Sequence, residues 1–206
     1  MLLKIHPDNP QERHLKTVVE CLKDGGIIIY PTDTIYGIGC DIYNKKAVEK
    51  VAAIKGLKPA NANLSFICED LSHLSTFASN LSNPIFRLLK ATLPGPYTYI
   101  LNASRETPKI VQGKKDTVGI RVPDHKISQQ IVKMLGNPLM STSIPMQNDE
   151  HVSYYTDPEV IYEHFKNRVD IIIDSGIGSM TPSTVIDCTT DEPQVIREGL
   201  GIWPIS

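Results

Sequence analysis

The sequence lacks the features of a membrane or secreted protein. No apolar run in its 206 residues reaches the roughly 18 that a membrane-spanning helix needs. The first residues, MLLKIHPDNP, lack the apolar core and small-residue cleavage site of a signal peptide. Four cysteines are scattered without a C-x-x-C pair, which favours reduced, buried thiols: Cys21, Cys40, Cys68 and Cys188. These absences predict a cytoplasmic protein that does not enter a membrane.

The motifs of several enzyme classes are also missing. The chain has no G-x-x-x-x-G-K-[ST] phosphate loop, no G-x-G-x-x-G turn and no G-x-S-x-G nucleophile motif. Its six histidines are never four residues apart, so we expect no metal-ligating set. An enzyme built on this chain would therefore work by positioning and electrostatics rather than through a covalent intermediate.

Aromatic residues are scarce, and charged residues are present in ordinary number but unevenly distributed. Residues 149–206 hold 11 acidic and 3 basic side chains, whereas the first 148 residues hold 12 acidic and 18 basic ones. The basic majority favours an anionic partner, although ordinary solvated faces would give the same pattern. Aromatic content of 6% and the absence of an RNP-like run argue against sequence-specific reading of RNA bases.

Helical and strand patterns alternate along the chain. Helices are predicted to begin at the caps Asn9, Asn83 and Asp157, each followed by proline, and also over 44–56 and 126–135. Apolar and β-branched runs predict strands at 27–30, 64–68, 97–101, 117–122, 138–141 and 169–173, and a hairpin of 184–188 with 194–197. This interleaving predicts an α/β fold, with residues 1–206 forming a single domain around a twisted mixed β-sheet flanked by helices.

The stretch YPTDTIYGIGCD, residues 30–41, reads as a loop that leaves a buried strand. It carries several hydroxyls and two glycines, Gly37 and Gly39, where the backbone can approach another atom closely. In an open α/β sheet, ligands bind outside the carboxyl ends of strands. Small hydroxyls and cations follow several predicted strand and helix ends, so we expect a site there: Thr32, Thr34, Lys55, Lys58, Ser141, Thr142, Ser143, Ser183, Thr184 and Arg197.

Arg121 stands inside the apolar strand VGIRVP. A buried guanidinium without a partner is costly, so this side chain must meet a carboxylate or a phosphate. A structural salt bridge and a ligand contact satisfy that demand equally well.

Seven stretches follow one another along the chain: PTDTIYGIGCD, the stretch 55–59, PGPYTYIL, VGIRVPDH, PLMSTSIP, PSTVID and VIREG. In identity and order they resemble the motifs of the YrdC/YciO family, which includes threonylcarbamoyl-AMP synthases. The resemblance extends over about residues 10–200, and IHPDNP and FICEDLS are most similar to the YciO branch.

The resemblance implies a YrdC-like domain with one large basic cavity, which condenses L-threonine, bicarbonate and ATP, with Mg²⁺, into threonylcarbamoyl-AMP and pyrophosphate for tRNA modification. It implies catalytic roles for Lys55 and Arg121. Nucleotide binding would fall to Lys58, Ser141, Ser143, Ser183 and Arg197. Threonine binding would fall to Thr32, Thr34, Tyr36 and Thr98.

The chain departs from the family at two signatures. The K-x-R signature reads Lys55-Gly56-Leu57, and the S-x-N signature reads Ser143-Ile144-Pro145. Each lost hydrogen bond to a charged group costs about 1.5–3 kcal/mol, so the two together predict synthesis slower by about two to four decades. The alternative is a non-catalytic protein that binds double-stranded RNA or tRNA.

Overall fold

The computed structural model describes residues 1–57, 64–112, 116–146 and 153–203. Ten strands of these residues form one mixed sheet, in the order β1-β10-β2-β3-β7-β4-β6-β5-β11-β12. They are β1 (Leu2–Lys4), β2 (Ile28–Tyr30), β3 (Gly37–Asp41), β4 (Ser65–Ile67), β5 (Tyr97–Asn102), β6 (Thr117–Arg121), β7 (Leu139–Ser143), β10 (Ile171–Asp174), β11 (Thr184–Asp187) and β12 (Gln194–Arg197). A separate pair comprises β8 (Pro145–Met146) and β9 (Ser153–Tyr154).

The described residues also form six α-helices and a short 3-10 turn, Lys109–Val111. The helices are α1 (Glu12–Lys23), α2 (Lys45–Ile54), α3 (Leu71–Phe77), α4 (Asn83–Thr92), α5 (Lys126–Leu135) and α6 (Pro158–Phe165). The predicted limits of α5 are confirmed, and Gly136 ends it in the left-handed conformation at φ +82°. Asp157 caps α6 by accepting a hydrogen bond from the Glu159 amide, as its sequence predicts.

Several local predictions were wrong. Helix α1 is capped by Gln11 rather than Asn9, and α4 by Ser82 rather than Asn83, and neither cap side chain accepts an amide hydrogen bond. Strand β1 and helix α3 were not predicted. Residues 37–41 form strand β3 rather than a loop, because they pair with β2 on one side and β7 on the other.

The sheet carries a hydrophobic layer on each face. One face packs against α2, α3, α4 and α6 through fully buried side chains such as Phe66, Tyr99 and Ile120. The other packs against α1 and α5 through Ile28 and Leu139, but only over part of its width. Removing this apolar surface from water is the main force that stabilises the layers.

The connection from β10 to β11 requires the sheet to curl. Seven strand spacings separate these strands, about 34 Å in a flat sheet. The ten residue-to-residue steps from Asp174 to Thr184 reach at most about 35 Å when fully extended. This segment is not extended, because Gly176 has φ +95° and Gly178 donates to the Thr156 carbonyl. The two ends of the sheet therefore approach each other and leave a concave face between them.

Within the described ranges, no helix is both long enough and apolar enough to cross a membrane.

Candidate functional site

A cavity of about 440 Å³ lies on the concave face of the sheet. Side chains that line it come from both ends of the curl, Tyr36 beside β3 and Ser183 beside β11. Its position agrees only in part with the expected one outside the carboxyl ends of strands. Arg121 and Ser143 stand at the carboxyl ends of β6 and β7, but Thr98 and Ser183 stand at the amino ends of β5 and β11. The curl of the sheet creates the cavity, because it brings the two ends of the sheet together.

The cavity floor consists of small residues on four neighbouring strands. Strand register places Ser141 beside Ser65, and Ser65 beside Gly119, with all three side-chain positions on the same face. Gly37 adds a fourth small residue on β3. Larger residues at these positions would fill the space above the sheet, so the floor is a direct consequence of Gly and Ser in this register.

Arg121 reaches the cavity from the end of β6 and is 8% exposed. Its Nη2 donates to Asp33 Oδ1 at 2.7 Å and to Thr34 Oγ1 at 2.9 Å. Burial lowers the pKa of the guanidinium and the Asp33 charge opposes that shift, so the group stays charged at neutral pH. Its Nε is buried and has no partner within the described residues. The guanidinium therefore has both a structural carboxylate and an unused donor.

Asp33 is a residue that sequence reasoning missed. Its Oδ1 pairs with Arg121, and its Oδ2 accepts the Asp124 amide at 3.0 Å. The two contacts hold the carboxylate between the end of β6 and the segment after β2. The signal was present, since a buried arginine requires a carboxylate, but the sequence does not say which acid faces it.

Lys55 follows the last turn of α2 and lines the cavity. Its Nζ donates to Thr142 Oγ1 at 2.8 Å. Burial lowers the pKa of the Lys55 ammonium from its ordinary value. An anion bound in the cavity would offset this desolvation and favour the charged amine.

A third cation lies at the β11–β12 side. Arg197 donates to the Ser183 carbonyl at 2.7 Å and to Ser183 Oγ at 3.2 Å. Ser183 Oγ in turn lies 2.7 Å from Thr98 Oγ1. The structure thus brings together three of the predicted residues, Thr98, Ser183 and Arg197, from three different strands or their ends.

Tyr36 is both a wall of the cavity and a packed aromatic. Its hydroxyl donates to the Gly176 carbonyl at 2.7 Å, and a side chain at Gly178 would lie 2.8 Å from its ring. The ring therefore fixes the segment that crosses from β10 to β11.

Two predicted residues stand behind the cavity rather than in it. The Thr32 hydroxyl donates to the Ile35 carbonyl at 2.8 Å, and Thr34 accepts from Arg121, so both order the segment that carries Asp33. Ser141 and Ser143 line the cavity as expected, while Lys58 lies outside the described residues. Sequence reasoning missed an apolar and amide part of the wall: Ile35, Leu64, Val111 and Gln112.

No three His, Cys, Asp or Glu side chains cluster as a metal site in the part of the chain that the structure describes. The charged side chains that line the cavity there are Lys55, Arg121 and Arg197, all cationic. The arrangement is suited to a ligand with several anionic oxygens, which can accept hydrogen bonds from all three.

Comparison with known proteins gives consistent matches over nearly the whole chain. A family model named Sua5/YciO/YrdC and described as "Telomere recombination" matches residues 20–199. The uncharacterized protein YciO of Escherichia coli K12 is 44% identical over 198 residues, covering 96% of this chain and 94% of that protein. Its crystal structure superposes with a TM-score of 0.91 at 41% identity, covering 98% of this chain and 97% of that one.

More distant relatives have a named activity or ligand. A threonylcarbamoyl-AMP synthase of Vibrio vulnificus is 32% identical over 189 residues, covering 90% of this chain and 98% of the synthase. The crystal structure of P. abyssi Sua5 complexed with L-threonine has a TM-score of 0.87 at 26% identity. It covers 97% of this chain but 57% of the Sua5 chain. These likenesses agree with the single-domain mixed α/β fold seen here.

Proposed function

The chain belongs to the Sua5/YciO/YrdC family, and from this premise we propose that its cavity binds ATP and L-threonine and forms threonylcarbamoyl-AMP. The observation that carries the proposal is the placement of three cations and several hydroxyls around one cavity of about 440 Å³. The likeness to a threonine-bound Sua5 and to named synthases supports the choice of substrates. The four cysteines are free, which supports a reducing, cytoplasmic setting.

In the proposed reaction the threonine amine bonds to the carbon of bicarbonate, and water leaves. An oxygen of the resulting carbamate then bonds to the α-phosphorus of ATP, and the bond from that phosphorus to pyrophosphate breaks. Both steps bring anionic groups close together, so charge repulsion adds to their barriers. Lys55 and Arg121 reduce this repulsion from two sides of the cavity, and the aligned donors hold the reacting oxygens in place.

The proposed arrangement places the nucleotide toward the β11–β12 side. Arg197 and Ser183 offer donors there, and Ser141 and Ser143 offer hydroxyls across the floor. Threonine lies nearer Tyr36 and Arg121, where the unused Nε donor of the arginine would meet an oxygen of the amino acid or of the carbamate.

Magnesium enters this proposal bound to the phosphates of ATP rather than to protein ligands. Mg²⁺ usually keeps several waters and takes one or two carboxylates together with substrate phosphates. The described lining of the cavity contains no acidic side chain, so the residues here do not build a dedicated site for the ion.

The two signature departures weaken this proposed activity. Leu57 is 44% exposed, so an arginine at this position has room to extend. Pro145 pairs with Tyr154 in the small β8–β9 sheet, and it offers no amide side chain where the synthase signature has asparagine.

The test is incubation of the protein with labelled L-threonine, bicarbonate, ATP and Mg²⁺, followed by separation of the adenylate and pyrophosphate. We expect threonine-dependent release of both products, and a higher single-turnover rate for the Leu57→Arg/Pro145→Asn variant. Omission of bicarbonate is the control. Absence of ATP binding together with tight binding of duplex RNA would contradict the proposal and favour a nucleic-acid-binding protein.

A further inference from the structure

Tyr30 lies beside the cavity floor, on the same face of the sheet, and does not line the cavity. Its side chain is 0% exposed, and its hydroxyl donates to Ser141 Oγ at 2.5 Å. Strand pairing puts Tyr30 opposite Gly37 and puts Ser141 opposite Gly39, so both side chains stand on the concave face. This is a buried phenol in direct contact with a hydroxyl of the candidate site.

The glycines of β3 make room for this contact. A β-carbon at Gly37 would lie 3.2 Å from Ser141 Oγ and 3.3 Å from the Tyr30 hydroxyl oxygen. A β-carbon at Gly39 would lie 3.2 Å from the Tyr30 ring. These glycines therefore allow the Tyr30 side chain to lie close against strand β3.

The contact decides what Ser141 can offer a ligand. A serine hydroxyl has one proton, and its oxygen can accept hydrogen bonds through two lone pairs. Burial raises the pKa of Tyr30 far above neutrality, so the phenol stays protonated and can donate to Ser141 Oγ. No other hydrogen bond of the Ser141 hydroxyl occurs within the described residues, and Ser141 lines the cavity. Its own proton is thus available on the cavity side.

On the opposite wall, a serine hydroxyl also accepts a hydrogen bond, here from an arginine. Arg197 donates to Ser183 Oγ, and Ser183 and Thr98 share one further hydrogen bond. Whichever of the two hydroxyls donates in that bond, one O–H remains for the cavity. On both sides of the cavity, a hydroxyl oxygen therefore accepts a hydrogen bond from another residue of the protein. A hydroxyl proton on each side is then available to a ligand inside it.

We propose that Tyr30 is a positioning residue that makes Ser141 a hydrogen-bond donor to an anionic oxygen of the ligand, a phosphate oxygen of the nucleotide. The inference rests on the proposed function for the identity of that ligand. Without the phenol, Ser141 is free to rotate and to present a lone pair, which repels an oxyanion. Tyr30 acts only through Ser141 and touches no substrate.

Calorimetry with ATP and with pyrophosphate tests the proposal on the full chain. We expect Tyr30→Phe to bind both ligands about 3- to 10-fold more weakly, the loss typical of one neutral hydrogen bond. Tyr99→Phe is the matched control, because Tyr99 is also 0% exposed in a strand, and its hydroxyl contacts Thr92 rather than the cavity. The control should bind both ligands as the unmodified protein does.

A double-mutant cycle separates positioning from a general loss of stability. If Tyr30 acts through Ser141, Tyr30→Phe should have no further effect on ligand affinity once Ser141→Ala is present. Additive losses would overturn the proposal, as would equal affinities of Tyr30→Phe and the unmodified protein. Should Tyr30→Phe not fold, Ser141→Ala carries the test, and unchanged affinity in that variant overturns it.

The outcomes also distinguish this proposal from the proposed function. Binding of pyrophosphate that depends on Tyr30, without threonine-dependent adenylate formation, would leave the positioning role intact and refute the synthase. No binding of either anion by the unmodified protein would refute both.

Discussion

At the scale of single residues, Arg121 forms a structural salt bridge with Asp33 and still has a donor that a ligand could use. The side chains are 9% and 10% exposed and 2.7 Å apart, so the arginine has the carboxylate that its burial demands. The pair uses only Nη2, and the buried Nε has no partner among the described residues. A structural role and a ligand-binding role are therefore compatible in one side chain.

We expect Arg121→Ala to lower the free energy of unfolding by about 3–5 kcal/mol, because it leaves the Asp33 charge buried and unpaired. Adding Asp33→Ala should recover a large part of that loss in urea denaturation. The double variant then isolates the ligand role, since it folds without the guanidinium. Its ATP affinity should be lower than that of the unmodified protein, and equal affinity would restrict Arg121 to a structural pair.

At the scale of elements, Gly39 on β3 and Gly119 on β6 serve two different purposes in the same sheet. Gly39 faces the neighbouring strand so closely that a β-carbon there would lie 2.4 Å from the Met140 carbonyl oxygen. Gly119, on β6, has its nearest neighbour at 3.4 Å, an ordinary contact with Ser65. Gly39 allows β3 to pair with β7, and Gly119 leaves space in the cavity above the sheet.

This difference predicts opposite results for two identical substitutions. Gly39→Ala should destabilise the protein by about 1–3 kcal/mol, because the backbone must move to admit the methyl group. Gly119→Ala should change stability by less than about 0.5 kcal/mol and should instead weaken ligand binding, because its methyl group projects into the cavity. Urea denaturation and calorimetry on both variants measure the two effects. A stable Gly39→Ala protein would contradict the close approach of β3 and β7.

At the scale of the whole molecule, charge distribution and cavity shape favour a small anion over a long one. The cavity brings together Lys55, Arg121 and Arg197, one of which lies in the acidic segment 149–206. A single nucleotide can meet all three cations. The 11 acidic side chains of that segment would oppose an extended polyanion.

Salt dependence distinguishes these partners. A protein that neutralises about six phosphates of a duplex loses about three decades of affinity when salt rises fourfold. ATP held by the buried Arg121, the half-buried Lys55 and the exposed Arg197 should lose only a fewfold, because the first two cations are shielded from screening ions. Titrations of ATP and of duplex RNA at both salt concentrations measure this directly. Duplex RNA binding that stays tight at the higher concentration would contradict the assignment of the cavity to a mononucleotide.

Much of the architecture followed from local chemistry. Helix α5 ends at Gly136 because glycine adopts φ +82° without strain, and the β11–β12 hairpin follows from two β-branched runs about a turn. Strand β3 was misread because Gly37 and Gly39 are typical of loops. Their place in a strand depends on β2 and β7, which lie on either side and are distant in sequence from each other.

The sequence by itself determined the fold class, the family and the three cations that line the cavity, because periodicity and the order of the motifs can be read along the chain. The tertiary structure alone decided which acid faces Arg121, which phenol lies behind Ser141, and that the ligand space occupies the sheet face. Those features depend on the curl that brings β3 and β11 to one cavity. A curl is set by the packing of all the strands and helices together, and no single stretch of sequence encodes it.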